Sequence, residues 1–169
     1  TNSIVVLTDH QTQGIGREGR IWHDKPGASI LFSAYFNIDE TVAAPFADLI
    51  ALKTCMAIRN LTSRDIQIKW PNDLVFGDKK LGGILVKNIY DENHVYKGTN
   101  VGIGINVHYN ELELEKYPTD YGATALDIIT GSTNRRQVIL TNILKEIASL
   151  GPDAKVIEKN SQMQKDMKC

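Results

Sequence analysis

A loop rich in glycine and arginine constrains this chain more than any other stretch. It occupies residues 11–22, Gln-Thr-Gln-Gly-Ile-Gly-Arg-Glu-Gly-Arg-Ile-Trp, directly after the apolar run 4–7. Glycine permits tight bends and a close approach of the backbone to a ligand. Backbone N–H groups freed by such a loop, with guanidinium groups beside them, form sites for phosphate or carboxylate. The loop therefore predicts a site for a small anion at the end of a strand.

The same loop imitates the fingerprint of dinucleotide-binding folds. Gly14, Gly16 and Gly19 spell G-x-G-x-x-G, and Asp39 follows at a suitable distance. That fingerprint requires a helix to begin at the glycines, so that its N-terminus faces the pyrophosphate. Here residues 22–27 indicate a loop and residues 29–36 a strand. The Rossmann interpretation is therefore rejected.

Composition narrows the class of protein. The 169 residues suit one domain with a substantial core, and a net charge of -1 argues against a nucleic-acid-binding surface. No apolar run is expected to approach membrane-spanning length, and no signal peptide is recognised at the start. Cys55 and Cys169 form neither a disulfide framework nor a metal cluster. The expectation is a cytoplasmic protein with neither a nucleic-acid nor a membrane partner.

Hydrophobic periodicity predicts alternating strands and helices through residue 150. Residues 109–121 are expected to form an irregular, mobile loop, and residues 151–169 a polar tail that is frayed or helical. The run 3–8 is expected to be a buried strand. The remaining predicted strands are 29–37, 66–70, 74–76, 80–90 and 94–107, and the predicted helices are 41–61, 123–129 and 135–150.

Four glycines interrupt two neighbouring predicted strands. They are Gly82 and Gly83 in the first and Gly102 and Gly104 in the second. Glycine weakens the interior of a strand, and it often marks a bulge or a place where another group lies against the backbone. A ligand lying on these strands is one interpretation, and tight packing of a helix on the sheet is the other.

Three blocks, taken in order, resemble the signatures of biotin protein ligases. The first is the loop 11–22. The second is Lys-Trp-Pro-Asn-Asp at 69–73 with Lys-Leu-Gly-Gly-Ile-Leu at 80–85, and the third is Gly-Ile-Gly-Ile-Asn-Val at 102–107. The resemblance covers roughly residues 3–150. It implies an α+β catalytic domain over 1–150, truncated at its start, with a mixed, largely antiparallel sheet and helices on one face.

The resemblance also implies a two-step reaction. The biotin carboxylate attacks the α-phosphate of ATP, with Mg²⁺ on the phosphates, to give biotinyl-5'-AMP and pyrophosphate. A lysine of a biotin carboxyl carrier domain then takes the biotin. Edge-to-edge homodimers are common in the family, and an exposed sheet edge would allow one.

Roles for individual residues follow from the same resemblance. Arg17 would grip the adenylate phosphate, Lys80 would reach the biotin carboxylate or its acyl-phosphate oxygen, and Asp73 would position the incoming lysine amine. The biotin contacts implied are Gln11, Ile15, Gly16, Arg17, Lys80, Gly82, Gly83, Gly102 and Gly104. The ATP or adenylate contacts implied are Arg17, Arg20, Trp22, Lys69, Asn72 and Asn106.

Two of these assignments carry alternatives. Trp22 offers a face to adenine or a lid over the ligand, but ordinary packing of the loop on the core is equally compatible with the sequence. Asn106 is a candidate for phosphate or Mg²⁺ contact, and no firm protein metal site is expected. His10, beside the loop, is interpreted as a surface residue rather than a base.

The sequence departs from the family pattern in three ways. Ile15 stands where the family loop usually has arginine, which predicts looser retention of the adenylate. The helix and Ser-Thr-Asn segment that normally precede the first strand are not recognised, and neither is the small β-barrel that usually follows. A fragment and a trimmed homologue of reduced activity both fit these departures.

Two other functions stay open at this point. A lipoate or octanoate ligase would share the fold, although the block at 69–73 favours biotin. A non-catalytic module that binds biotin or its adenylate is favoured by Ile15 and by the unrecognised flanking segments. A DNA-binding repressor role has no support in the sequence.

Overall fold

One six-stranded sheet organises the chain. The computed structural model describes residues 4–117 and 119–150. Strand order is β1-β2-β6-β5-β4-β3, and every neighbouring pair of strands is antiparallel. The strands are β1 Ile4–Thr8, β2 Ser29–Phe36, β3 Gln67–Lys69, β4 Asp73–Phe76, β5 Lys79–Tyr90 and β6 Tyr96–Asn106.

Helices complete the α+β architecture that the sequence predicted. They are α1 Ala43–Thr62, α2 Glu111–Leu114, α3 Leu126–Thr130 and α4 Arg136–Ala148. Ile50 and Ile58 of α1 and Ile143 of α4 pack with Leu81 and Ile105 of the sheet in one apolar core. The largely antiparallel sheet is therefore confirmed. Within the described residues, its parallel component is a single isolated bridge between Lys80 and Ala123.

Helix α1 corrects the expectation about membrane-spanning length. With the short 3-10 turn before it, the helical segment Glu40–Thr62 contains an 18-residue window with a mean hydropathy of 1.5, and by length and composition it could cross a membrane. Phe46, Ile50 and Ile58 are buried in the domain core. The helix ends where Ser63 adopts a left-handed conformation, with φ 53°. Its apolarity is therefore accounted for by packing on the sheet.

The first strand is not buried, contrary to expectation. Strand β1 lies at the sheet edge and pairs only with β2 among the named strands. Ile4 is 60% exposed and Val6 is 62% exposed, and Val5 and Leu7 on the other face are also exposed. The β-branched composition correctly indicated a strand. It could not indicate burial, because burial depends on whether another element covers the two faces.

Residues 109–117 contain more regular structure than the irregular loop expected over 109–121. Asn110 and Glu113 form a reciprocal capping box at the start of α2, which satisfies N–H groups that a helix start leaves without partners. Tyr109 and Leu114 are buried in a second apolar cluster with Ala125. The segment is therefore anchored to the domain from within. The tail predicted at 151–169 lies outside the described residues.

Candidate binding cavity

The glycine–arginine loop folds back on itself as a small hairpin. Gly16 N donates to Arg20 O at 2.7 Å, and Trp22 N donates to Gly14 O at 2.9 Å. A Cβ on Gly14 would lie 2.6 Å from the carbonyl oxygen of Trp22. Since real side chains do not approach so closely, glycine is required at position 14. The two arms are thereby held together beside the sheet.

A buried carboxylate anchors the start of this hairpin. Asp24 Oδ2 lies 2.9 Å from His10 Nδ1, and Asp24 Oδ1 accepts from the backbone N–H of Gln11 at 3.3 Å. The Asp24 side chain is fully buried, whereas that of His10 is partly exposed. His10 therefore acts as a partner for the anchor. The sequence analysis missed Asp24, because nothing in its local pattern shows that it is buried.

A cavity of about 470 Å³ lies between the loop, the middle of the sheet and a wall formed by Tyr117 and residues 119–121. This volume is within the range of small-molecule sites. The cavity brings together most of the residues predicted from sequence, and Arg17 and Lys80 face the same space. The predicted residues that line it are Gln11, Ile15, Gly16, Arg17, Arg20, Trp22, Asn72, Asp73, Lys80, Gly83, Gly102, Gly104 and Asn106.

Two cations in the cavity have polar partners from the block at 69–73. Lys80 Nζ lies 2.8 Å from Asp73 Oδ1, and Arg17 Nη1 donates to Asn72 Oδ1 at 3.3 Å. The Lys80–Asp73 contact is an ion pair without the alignment of a hydrogen bond. Among the described residues, Asp73 Oδ1 therefore has no hydrogen-bond donor although it is buried. Its other oxygen, Oδ2, accepts from the Tyr121 hydroxyl.

Arg20 is held at the cavity mouth by acidic residues. Its Nη1 donates to Asp120 Oδ2 at 2.6 Å, and Nη2 lies 3.7 Å from Glu18. The hydrogen bond that Arg20 donates to Asp120, together with the charge of that carboxylate, raises the pKa of the Arg20 guanidinium above the usual value. Both members of the Arg20–Asp120 pair are exposed. A phosphate would therefore compete with Asp120 for the same guanidinium.

Replacing Asp120 with asparagine should tighten binding of a nonhydrolysable biotinyl-adenylate analogue by about fivefold at low salt, because one negative charge leaves the mouth. The gain should shrink at high salt, where exposed charges are screened. Calorimetric titration at two salt concentrations measures both effects. Asp65→Asn removes an acid from another exposed pair, with Arg59, and should change nothing. Weaker binding by Asp120→Asn would contradict competition for Arg20.

Trp22 lies on a floor made of glycine. A Cβ on Gly104 would lie 2.7 Å from Trp22 Cζ2, and one on Gly83 would lie 3.5 Å from Cζ3. Within the described residues, the indole Nε1 of Trp22 is buried without a hydrogen-bond partner. At Gly102 an added Cβ would meet nothing closer than 3.5 Å. The indole thus covers one end of the floor, and the other end is open.

Two predicted site residues lie outside the cavity lining. A Cβ on Gly82 would lie 2.5 Å from the carbonyl oxygen of Gly104, so Gly82 is required by the close approach of neighbouring strands and not by a ligand. Lys69 Nζ lies 3.4 Å from the centre of the Tyr121 ring. Its ammonium is therefore engaged by an aromatic face away from the cavity. The close contact at Gly82 is thus with a neighbouring strand, and neither a ligand nor a helix packed on the sheet is needed to account for this glycine.

Sequence reasoning missed several lining residues, and a group of them lies outside the three recognised blocks. His23 stacks on Tyr117 with a centroid distance of 5.4 Å, and Asp120 and Tyr121 close the mouth from the same side as Tyr117. Sequence reasoning could have found them from the loop itself, which carries two tyrosines and an acidic residue. Loops often carry functional residues. Their positions depend on the burial of Tyr109 and Leu114, which the local pattern did not reveal.

The cavity is not lined by a protein cage for a metal. In residues 4–117 and 119–150, no group of three or more His, Cys, Asp or Glu side chains could hold an ion. Asn106 lines the cavity and donates from Nδ2 to the Thr124 carbonyl at 3.1 Å. Mg²⁺ is commonly bound through substrate phosphates with few protein ligands. A metal bound in that way would not need such a cluster of side chains.

The fold and the cavity together define an α+β small-molecule-binding domain with cationic side chains above a glycine floor. The family model described as the biotin/lipoate A/B protein ligase family matches residues 1–106. The chain belongs to that family. The bifunctional ligase/repressor BirA of Bacillus subtilis is 30% identical over 142 residues, covering 83% of this chain. The chain spans 43% of that relative's length.

Solved structures agree with this fold. The biotin protein ligase of Aquifex aeolicus in complex with biotin and ATP superposes with a TM-score of 0.76 at 27% identity, over 96% of this chain and 68% of that one. The biotin protein ligase of Leishmania major in complex with biotin gives a TM-score of 0.77 at 18% identity, over 98% of this chain and 71% of that one. The second likeness shows the fold alone.

Proposed function

We propose that this chain activates biotin with ATP and transfers it to a lysine of a biotin carboxyl carrier domain. The observation that carries the proposal is the placement of Arg17 and Lys80 in one cavity with a floor of Gly83, Gly102 and Gly104. A flat ring can lie against glycine backbone while its carboxylate meets Lys80, and Arg17 is then placed to meet the phosphate. The ligase activity for which the Bacillus subtilis relative is named, and the complex of the Aquifex enzyme with biotin and ATP, support the same proposal.

In the first step, two anions have to meet. A carboxylate oxygen of biotin attacks the α-phosphorus of ATP, a new P–O bond forms, and the bond to pyrophosphate breaks. Negative charge develops on the phosphoryl oxygens, where fixed cations stabilise it. Lys80 is suited to the carboxylate and Arg17, with its planar fork of donors, to the phosphate. Both would exchange their present partners, Asp73 and Asn72, for the ligand.

In the second step, the acceptor lysine nitrogen attacks the acyl carbon. A C–N bond forms, the C–O bond to AMP breaks, and AMP leaves with the electron pair. A lysine amine is normally protonated near neutral pH, so it has to lose a proton to react. Asp73, buried beside Lys80, is the group proposed to accept the amine N–H and its proton, which then passes to solvent.

Biotin is preferred over lipoate because of the head group. The biotin ureido group carries both donors and acceptors, and Gln11 supplies an amide with both. The dithiolane ring of lipoate has no such groups, so Gln11 would be desolvated without a partner. The family includes both kinds of ligase, which makes the head group the discriminating feature.

Pyrophosphate release from Mg-ATP should depend on biotin and not on lipoate. Coupled detection of pyrophosphate measures the first step, and mass spectrometry of a carrier domain incubated with the chain, biotin and Mg-ATP measures the second. Release with lipoate alone would replace biotin by lipoate in the proposal. Biotin-dependent binding heat with neither product would instead support a non-catalytic binding module, which Ile15 favours by removing a cation from the loop.

A further inference from the structure

Tyr121 forms a hydrogen bond with Asp73, the carboxylate that is proposed to accept a proton from the acceptor lysine amine. Its hydroxyl donates to Asp73 Oδ2, across 48 residues of sequence. The ring is partly buried and lines the cavity, and Lys69 Nζ lies over its outer face. Burial of the ring, then the hydrogen bond and charge of Asp73, raise the pKa of the Tyr121 phenol above its usual range. The hydroxyl therefore remains a donor at any physiological pH.

The two oxygens of Asp73 consequently differ. Oδ2 is occupied by the tyrosine, whereas Oδ1 is buried and has no hydrogen-bond donor among the described residues. Lys80 Nζ lies 2.8 Å from Oδ1 without hydrogen-bond alignment. When Lys80 turns to the acyl-adenylate, Oδ1 loses its nearest cation. A buried acceptor without a hydrogen bond costs free energy. An incoming ammonium or amine N–H would therefore be bound favourably by Oδ1, which has no other donor among the described residues.

We propose that Tyr121 is a positioning residue for the transfer step, fixing the Asp73 carboxylate so that Oδ1 faces the acceptor lysine. The proposal rests on the proposed ligase function. It extends that function to a residue outside the three recognised blocks. Tyr121 needs no contact with biotin or ATP in this role, so adenylate formation should not depend on its hydroxyl.

The test variant is Tyr121→Phe, which removes only the hydroxyl and keeps the ring under Lys69. Adenylate formation, measured as hydroxamate produced in the presence of hydroxylamine, should stay within about twofold of wild type. Transfer to a biotin carboxyl carrier domain should fall by about 10- to 100-fold in kcat, the range expected for losing a hydrogen bond to a charged group. Tyr90→Phe is the matched control, because the Tyr90 hydroxyl donates to Glu40 away from the cavity. It should alter neither step.

A spectroscopic measurement tests the contact itself. In the chain labelled with ¹³C-tyrosine, Asp73→Asn should shift the Cζ resonance of Tyr121 at neutral pH, because the phenol loses its charged carboxylate acceptor. An unchanged Tyr121 resonance would overturn the contact. Equal losses in both steps for Tyr121→Phe, or an unchanged transfer rate, would overturn the positioning role. Failure of the wild-type chain to release pyrophosphate with biotin would instead overturn the ligase function, and the role in transfer with it.

Discussion

Replacing Arg17 with alanine is expected to weaken binding of a nonhydrolysable biotinyl-adenylate analogue by about 100-fold, while affinity for free biotin falls by less than about threefold. Losing one member of a charged, hydrogen-bonded pair at a binding site costs about 2–5 kcal/mol, and 1.4 kcal/mol corresponds to a factor of ten. Only the adenylate carries the phosphate that Arg17 is proposed to bind. Calorimetric titration of both ligands gives the two ratios.

The contacts of Arg17 indicate that Arg17→Ala should have little effect on the stability of the fold. In the described structure its Nη1 donates to the Asn72 side chain at 3.3 Å, a long hydrogen bond on the cavity wall. Its loss should leave thermal unfolding nearly unchanged, so altered affinity can be ascribed to the site. Arg17→Lys keeps the charge but not the planar fork and should give an intermediate loss.

Arg64→Ala is the matched control for Arg17→Ala. Arg64 is an exposed arginine between α1 and β3 and does not line the cavity. Its removal changes the net charge by the same amount and should leave both affinities as in wild type. Equal losses for biotin and the adenylate analogue in Arg17→Ala would contradict the role of Arg17 at the phosphate.

The strands, the helices and the anion-binding loop could be predicted because they are encoded locally, in periodic apolar runs and in the contiguous loop that carries Arg17. The arrangement of the sheet was implied by the resemblance to biotin protein ligases, and the roles of the site residues stay predictions. The exposure of β1 and the regular structure of residues 109–117 are decided by contacts between distant residues. Asp24 and Tyr121 show the same limit, because their partners His10 and Asp73 lie 14 and 48 residues away in sequence.

Gly82 and Gly104 show that the same sequence pattern, a glycine inside a strand, can have two different structural causes. From sequence alone, Gly82 and Gly104 are equivalent interruptions of two strands. In the structure, an added Cβ at Gly82 would strike the backbone of the next strand, whereas one at Gly104 would strike the movable indole of Trp22. The first glycine is therefore a requirement of the sheet and the second a feature of the cavity. Substitution can separate the two.

Gly104→Val is expected to lower affinity for biotin by about 100-fold with little loss of stability. The new side chain would fill the floor on which the ring is proposed to lie, and overpacking a closely fitted site costs about 1–3 kcal/mol. Gly104 lies in β6, paired with Leu31 and Gly83, so a β-branched residue suits its backbone. Calorimetry with biotin and thermal unfolding measure the two effects.

The neighbouring glycines supply the controls for Gly104→Val. An alanine Cβ at Gly102 would meet Ser33 Oγ at 3.5 Å, an ordinary contact, so Gly102→Ala should fold normally. Because alanine adds one carbon atom to the floor and valine adds three, Gly102→Ala should cost less biotin affinity than Gly104→Val. Gly82→Ala should lower the unfolding temperature instead, since its Cβ would lie 2.5 Å from a backbone oxygen. In wild type, biotin has to displace the Trp22 indole from Gly104, which should change tryptophan fluorescence on binding. Normal biotin affinity in Gly104→Val would show that the ring lies elsewhere, and the glycine floor would then have no part in recognition.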